Sequence, residues 1–410
     1  MINSYLNNLE MKVELIFETS WEVCNKVGGI HTVISTKALN ILDEVGDNYI
    51  LIGPDVWRED VTNPEFIPDE SLFVEWKARA DSEGLRVKIG RWNIAGKPIV
   101  MLIDFTPYFG QQNEIFAKFW ETYKLDSISG QWDYVEPALF GYAAGRLIES
   151  FTAFYHEHHN IVAQFHEWMT GTGILYLEKQ APWIATSFTT HATVLGRCIA
   201  GNNRPLYGKM KEYVPIQLAR EFNVVAKQSL ERITASVADV FTTVSELTSR
   251  ECSHFLGKDV DIVTPNGFED SFVPASDLFE NKRQTARLKL KNVAEAILGY
   301  QLPDDCIFLA NSGRYEFRNK GVDVFIDSIG ELNRQDKLNK VCVAFVLIPA
   351  YHKGPRTDLI DNLYNNGPAN GGDRYLTHSL HYPADDPILR RISSNNLDNG
   401  EKSQVKIIFA

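Results

Sequence analysis

Short runs of β-branched and aromatic residues alternate with longer stretches whose apolar positions recur every three or four residues, along most of the chain. This is the pattern of an α/β protein built on a largely parallel sheet. It predicts a strand at 12–17, a helix over 30–42 entered through glycines, and a second strand at 48–52. Residues 86–92 and 97–103 read as a hairpin around the turn 93–96, so this half is not purely strand–helix–strand. A long helix is predicted over 137–155, where Leu139, Tyr142, Ala143, Leu147 and Phe151 fall at helical spacing. Further strands are predicted at 161–165, 184–189, 240–243 and 262–263, with helices between them.

The first lobe closes near Gly267, and the segment 268–276, which holds Pro274, reads as a hinge. The predicted division is therefore 1–270 and 271–410. A new cycle follows, with a strand at 305–311, a helix over 321–333 and a fully apolar strand at 341–348. Residues 351–404 are rich in Gly, Asn, Asp and Pro, and show little periodicity beyond 357–364. A last strand begins at 406–409, directly before Ala410. The expectation is a second lobe that is incomplete, in a fragment of a longer protein, with the 341–348 strand short of the neighbours that would bury it.

Composition narrows the class. Of 410 residues, 44% are apolar and 11% aromatic, enough for a large core and incompatible with a disordered chain. Forty-one Lys and Arg face 53 Asp and Glu, a formal net charge of −12, so no overall field favours nucleic acid or an anionic membrane. A local basic pocket for one small anion is unaffected by that balance. Cys24, Cys198, Cys252, Cys306 and Cys342 are odd in number and lack CxxC spacing, which points to reduced thiols rather than a disulfide framework or a zinc cluster. The N-terminus has no basic region preceding an apolar run, and the longest apolar stretch, 341–349, is less than half of the roughly 20 residues that span a bilayer. A soluble cytoplasmic protein is expected.

Four windows carry candidate chemistry, each where a strand gives way to a helix. FETSWEVCNKVGG places Gly28 and Gly29 at a helix N-terminus, where unpaired N–H groups suit an anion and Lys26 adds charge. A plain tight turn explains the same glycines. FTTHATVLGR puts His191 and Arg197 beyond the carboxyl end of a strand, where open α/β sheets bind ligands; a histidine capping the strand end is the alternative. QFHEW makes a second such corner with His166 and Glu167, which suit a structural His–Glu pair equally well. In the second lobe, SGRYEFRNKG gathers Arg314, Arg318 and Lys320, a guanidinium fork and a point charge suited to a diphosphate. The HEHH run at His156, His158 and His159 ends a helix and has no partner at ligand spacing, so no metal site is expected there. Glutamates eight apart, Glu14 with Glu22 and Glu149 with Glu157, recur by chance in a Glu-rich chain.

Taken in order, FETSWEVCNKVGGIHTVISTKA, FHEW, FTTHATVLGR, DVFTTVSELT, TPNGF and SGRYEFRNKGVDVFIDSI resemble the animal and fungal type of glycogen synthase, over roughly residues 13–332. The resemblance implies a GT-B fold, with two Rossmann-like lobes facing a cleft. It also implies retaining transfer of glucose from UDP-glucose to the non-reducing end of an α-1,4-glucan. By the same resemblance His191 would be the catalytic side chain beside the transferred glucose. Lys26, Gly28, Gly29 and Arg197 would lie toward the donor phosphates, Arg314 and Lys320 would clamp the pyrophosphate, and Asn266 joins His166 and Glu167 as a further cleft candidate. Neither a metal nor another cofactor is implied. The family's glutamate pair and its regulatory arginine helix would fall after Ala410, so the 410 residues alone are expected to be inactive.

Three other readings stay open at this point: an ADP-glucose donor, a soluble acceptor, or a module that binds glucan or nucleotide sugar without catalysis. Homo-oligomer formation by the full-length protein is also open.

Overall fold

The first apolar run, LIFET, forms β1 (Leu15–Thr19), and it becomes the centre of the larger sheet. A computed structural model describes residues 13–57, 61–155, 160–335, 337–365 and 373–410. The chain divides into two compact units, Met1–Ile199 with Pro205–Glu269, and Ala200–Arg204 with Asp270–Ala410. The short Ala200–Arg204 piece thus groups with the second unit, which a single cut near residue 270 does not capture.

In the first unit the strands are β1, β2 (Tyr49–Pro54), β3 (Phe66–Pro68), β4 (Arg86–Trp92), β5 (Ile99–Asp104), β6 (Ile161–His166), β7 (Ala185–Thr190), β8 (Val240–Thr243) and β9 (Ile262–Val263). They form one sheet in the order β3-β4-β5-β2-β1-β6-β7-β8-β9. The pairs are parallel except β3 with β4 and β4 with β5, the latter being the predicted hairpin. The helices are α1 (Gly29–Val45), α2 (Val74–Ser82), α3 (Gln112–Tyr123), α4 (Trp132–Phe154), α5 (Gly171–Gln180), α6 (Val194–Gly201), α7 (Leu206–Lys209), α8 (Pro215–Glu221), α9 (Val225–Val237) and α10 (Glu246–Phe255). Strand order runs outward from β1 in both directions, so the chain switches sides between β1 and β6. Ligands of open α/β sheets bind at such a switch, outside the carboxyl ends of the strands. α4 covers one face, where Phe151 meets Phe17 and Trp76 edge-on at 5.5 and 5.1 Å. α4 starts at Trp132 rather than at Pro137, which lies buried inside the helix instead of opening it.

The second unit holds β10 (Ile307–Ser312), β11 (Cys342–Leu347), β12 (His352–Pro355), β13 (His378–Leu380) and β14 (Val405–Phe409), with α11 (Ser276–Leu298), α12 (Val322–Gln335), α13 (Thr357–Asn365) and α14 (Pro387–Ser394). β10, β11 and β14 form a parallel sheet with β11 in the middle, and β12 and β13 an antiparallel ribbon. The expected exposure of the 341–348 strand is not found. Ala344 and Val346 pack with Val322, Ile326, Ile388 and Ile392 on one face, while Val343 and Phe345 pack with Ala294, Ile297 and Leu359 on the other.

Two helices of this unit, α11 and α14, were not anticipated, and neither were α2 and α3 of the first. Over most of its length α11 is exposed, burying only Ala294, Ala296, Ile297 and Leu298, so its apolar periodicity is faint. α14 lies in the turn-rich stretch, yet its start is encoded: Asp386 caps the Leu389 N–H at 3.0 Å and Pro387 occupies the first helical position. Among the described residues no helix is long and apolar enough to cross a membrane. All five cysteines are unpaired thiols, and four of them are buried.

Candidate functional site

The carboxyl end of β1 carries a fully buried glutamate. Glu18 lies between β2 and β6 in the centre of the sheet, and three donors converge on it. The Tyr49 hydroxyl donates to its Oε2, while Lys37 Nζ from α1 and His166 Nε2 from the end of β6 reach its Oε1 at 2.7 and 2.6 Å. Burial alone would raise this carboxyl. The Lys37 ammonium and the His166 hydrogen bond outweigh it and hold Glu18 well below the usual carboxylate range. His166 Nδ1 stands 3.0 Å from His191 Nε2, with the two rings 5.2 Å apart. Burial lowers the affinity of both rings for a second proton. For His191, with His166 and the Lys37 ammonium beside it adding to burial, the pKa is pushed down to about 3.

Glu167 does not pair with His166, contrary to one reading of QFHEW. Its backbone sits at φ 65°, ψ 162°, a region unfavourable for any residue but glycine. Its own N–H donates to the Thr189 carbonyl at 2.9 Å and its Oε1 accepts the His191 N–H at 2.9 Å. Glu167 thereby holds the backbone of the turn that presents His191. The next residues start α6, where Thr193 Oγ1 accepts the Gly196 N–H at 3.0 Å and donates to Glu251 at 2.7 Å. Glu231 accepts the Val194 N–H at 3.0 Å. Burial raises all three carboxyls, Glu167, Glu231 and Glu251, and the exposed Arg197 guanidinium opposes that rise in each.

The glycine turn before α1 differs from its expected role. The N–H groups of Gly28 and His31 are not open to an external anion, because Glu22 Oε2 accepts both, at 2.9 and 2.8 Å. An internal carboxylate already occupies the helix N-terminus. Lys26 is exposed beside it.

A cavity of about 340 Å³ opens in the first unit. Thr36, Lys37 and Asn40 of α1, His166, His191 and the 264–269 segment line it. The structure thus brings together three of the residues singled out in the sequence, His166, His191 and Asn266. Lys26, Gly28, Gly29 and Arg197 do not line this cavity. Glu18, Lys37 and Tyr49 were missed. The one available signal was a glutamate directly after the apolar run Leu15–Phe17.

In the second unit Arg314, Arg318 and Lys320 occupy the turn between β10 and α12. Arg314 pairs with Glu316 at 2.5 Å and Arg318 with Asp323 at 2.9 Å. Lys320 is exposed, lies against Gly313, and has no ion pair among the described residues. Tyr315 anchors the turn by donating to Asp386 at the start of α14. The HEHH histidines, and Glu157, fall outside the described residues.

Residues 18–358 match the family model described as glycogen synthase. The chain is 36% identical over 343 residues to the liver glycogen [starch] synthase of Mus musculus, covering 82% of this chain and 49% of that protein. It is 33% identical to glycogen [starch] synthase of Neurospora crassa over 356 residues, with 83% and 49% covered. Identity to isoform 2 of Saccharomyces cerevisiae is 30% over 400 residues, with 91% and 56% covered. The chain spans about half the length of the curated relatives it matches. Among solved structures, an alpha,alpha-trehalose-phosphate synthase (UDP-forming) from Burkholderia vietnamiensis superposes with a TM-score of 0.50 at 9% identity, covering 96% of this chain and 73% of that one. That likeness concerns the fold, which is α/β of the GT-B type. Because the family match takes in the Glu18, His166 and His191 cluster of one unit and the Arg314–Lys320 turn of the other, the chain belongs to the glycogen synthase family.

Proposed function

We propose that the protein to which this chain belongs is a glycogen (starch) synthase, extending the non-reducing end of an α-1,4-glucan with glucose from UDP-glucose and retaining the anomeric configuration. The observation that carries this reading is the family match over residues 18–358, which includes both cationic and histidine turns. In this reading His191 contacts the transferred glucose, and Arg314 with Lys320 meets the negative charge that develops on the departing UDP. Fixed positive charge at a leaving group is a large catalytic lever and needs neither a metal nor a cofactor. Arg197, Gly29 and Lys26 would face the donor phosphates, and the Gly28 N–H would do so only after Glu22, which accepts it now, leaves the start of α1. The protein is read as cytoplasmic.

The test is a donor panel on the gene's full-length product. UDP-, ADP- and GDP-glucose are supplied with glycogen, and release of the nucleoside diphosphate is followed. UDP release at a rate well above the other two supports the reading. Preference for ADP-glucose, or binding without turnover, sinks it.

A further inference from the structure

We propose that Glu18 is a positioning residue for His191: acting through His166, it fixes the tautomer of His191 so that an unprotonated Nδ1 is offered as acceptor to a sugar hydroxyl in the cavity. The sugar rests on the function proposed above; the relay of protons does not.

The argument begins with what each group can donate. An ionised carboxylate only accepts, and Glu18 receives the Tyr49 hydroxyl, the Lys37 ammonium and His166 Nε2. The proton in the 2.6 Å contact therefore belongs to His166 Nε2. A neutral imidazole has one ring N–H, so His166 Nδ1 is a lone pair. Its 3.0 Å contact to His191 then requires the proton on His191 Nε2, which leaves His191 Nδ1 bare. The reverse order would set the bare Nε2 of His166 against a carboxylate oxygen, with no proton between them. Burial keeps both rings from taking a second proton, which would end the relay. His191 lines the cavity, and its Nδ1 has no partner among the described residues.

An apolar side chain in place of Glu18 would leave His166 Nε2 without its acceptor, and nothing would then fix which ring nitrogen carries the proton. Lys37 completes the device by keeping the buried carboxylate charged.

The experiment is a long-range ¹H–¹⁵N correlation spectrum of the histidine rings in the 410-residue chain near neutral pH, assigned by His166→Asn and His191→Asn. Both rings are expected as single Nε2–H tautomers. A His191 that carries its proton on Nδ1, or that is doubly protonated, overturns the proposal. Glu18→Leu is expected to move the His191 Nδ1 resonance toward the protonated position, as the two tautomers mix. Tyr49→Phe, which leaves the carboxylate and two donors in place, is expected to keep the wild-type pattern. An unchanged His191 signal in Glu18→Leu overturns the role of Glu18. Should that variant fail to fold, His166→Phe, which has neither a donor nor an acceptor, cuts the relay at its middle, and a His191 that still holds one tautomer overturns it equally. Saturation with UDP-glucose separates the two parts: a shift at His191 Nδ1 supports the hydroxyl contact, and no shift overturns that contact while the tautomer result stands.

Discussion

The Glu22 carboxylate accepts the backbone N–H of His31 at 2.8 Å, so the N-terminus of α1 is satisfied from within the chain. It takes the Gly28 N–H as well, at 2.9 Å. A side-chain cap of this kind, placed at the positive end of a helix, stabilises by about 1 kcal/mol. Glu22→Ala is therefore expected to lower the Tm of the chain by about 2–4 °C. Inorganic phosphate in the buffer should raise the Tm of this variant more than that of the parent, because the vacated N–H groups then donate to an external anion. Equal effects of phosphate on both proteins would show that the turn binds no anion.

Two glycines predict opposite outcomes. A Cβ at Gly196 would stand 2.1 Å from Glu251 Oε2 and 2.6 Å from Thr193 Oγ1, both held in place by their own hydrogen bonds. Gly196→Ala is expected to cost about 1–3 kcal/mol, measured by chemical denaturation. A Cβ at Gly29 meets nothing within 4 Å. Gly29→Ala should leave stability within about 0.5 kcal/mol. If a ligand comes close to that backbone, the same variant will weaken UDP-glucose binding; unaltered binding would remove Gly29 from the donor site.

Stability should depend on pH through Glu231. This carboxyl is fully buried, and its Oε1 has no hydrogen-bond partner. Burial first and the Glu167 charge second push its pKa well above the ordinary 4.5, with Glu251 adding, and with the Val194 N–H and Arg197 opposing. A carboxyl whose folded pKa is raised stabilises fully below its unfolded value, and that contribution is lost as pH climbs through the window above it. Thermal unfolding between about pH 5 and pH 8 should show the loss, and Glu231→Gln, which still accepts from Val194, should flatten it. A slope indifferent to the substitution would mean that Glu231 is not the group responsible. Glu18 works in the opposite sense, since its folded pKa is lowered; its contribution is lost only on the acid side, as pH falls below the ordinary carboxylate value.

In the full-length product, Arg314→Ala and Lys320→Ala are each expected to reduce turnover by about a hundredfold, on the order of 3 kcal/mol in the barrier. Glycogen pull-down should be nearly unchanged. Wild-type turnover in both variants would dissociate this turn from the chemistry.

The elements legible in the sequence were those whose burial follows a local period. β4 and β8 start and end where alternation and turn residues place them. β1 was read as ending at Phe17, because Glu18 and Thr19 are polar; they continue the strand because Tyr49, Lys37 and His166 arrive from three other segments to satisfy Glu18. The same reason hid the cap on α1, whose acceptor is six residues upstream of Gly28 and outside the usual capping position. His191 was visible as the end of a strand, but the partner that orients it lies on β6 and that partner's own anchor on β1. Local pattern identified the turn. Only the strand order, with β1 beside β6, reveals what stands behind it.

That strand order also bears on how the protein is made. Glu18, Lys37 and Tyr49 leave the ribosome close together, whereas His166 follows Glu18 by 148 residues, roughly 7–30 s later at usual rates of synthesis. Until β6 docks beside β1, the nascent chain holds a carboxylate meant for the centre of a sheet, with one of its donors still unmade. Burying that carboxylate without His166 would be costlier than burying it with all three donors, which favours closing the sheet around β1 only after β6 has been made.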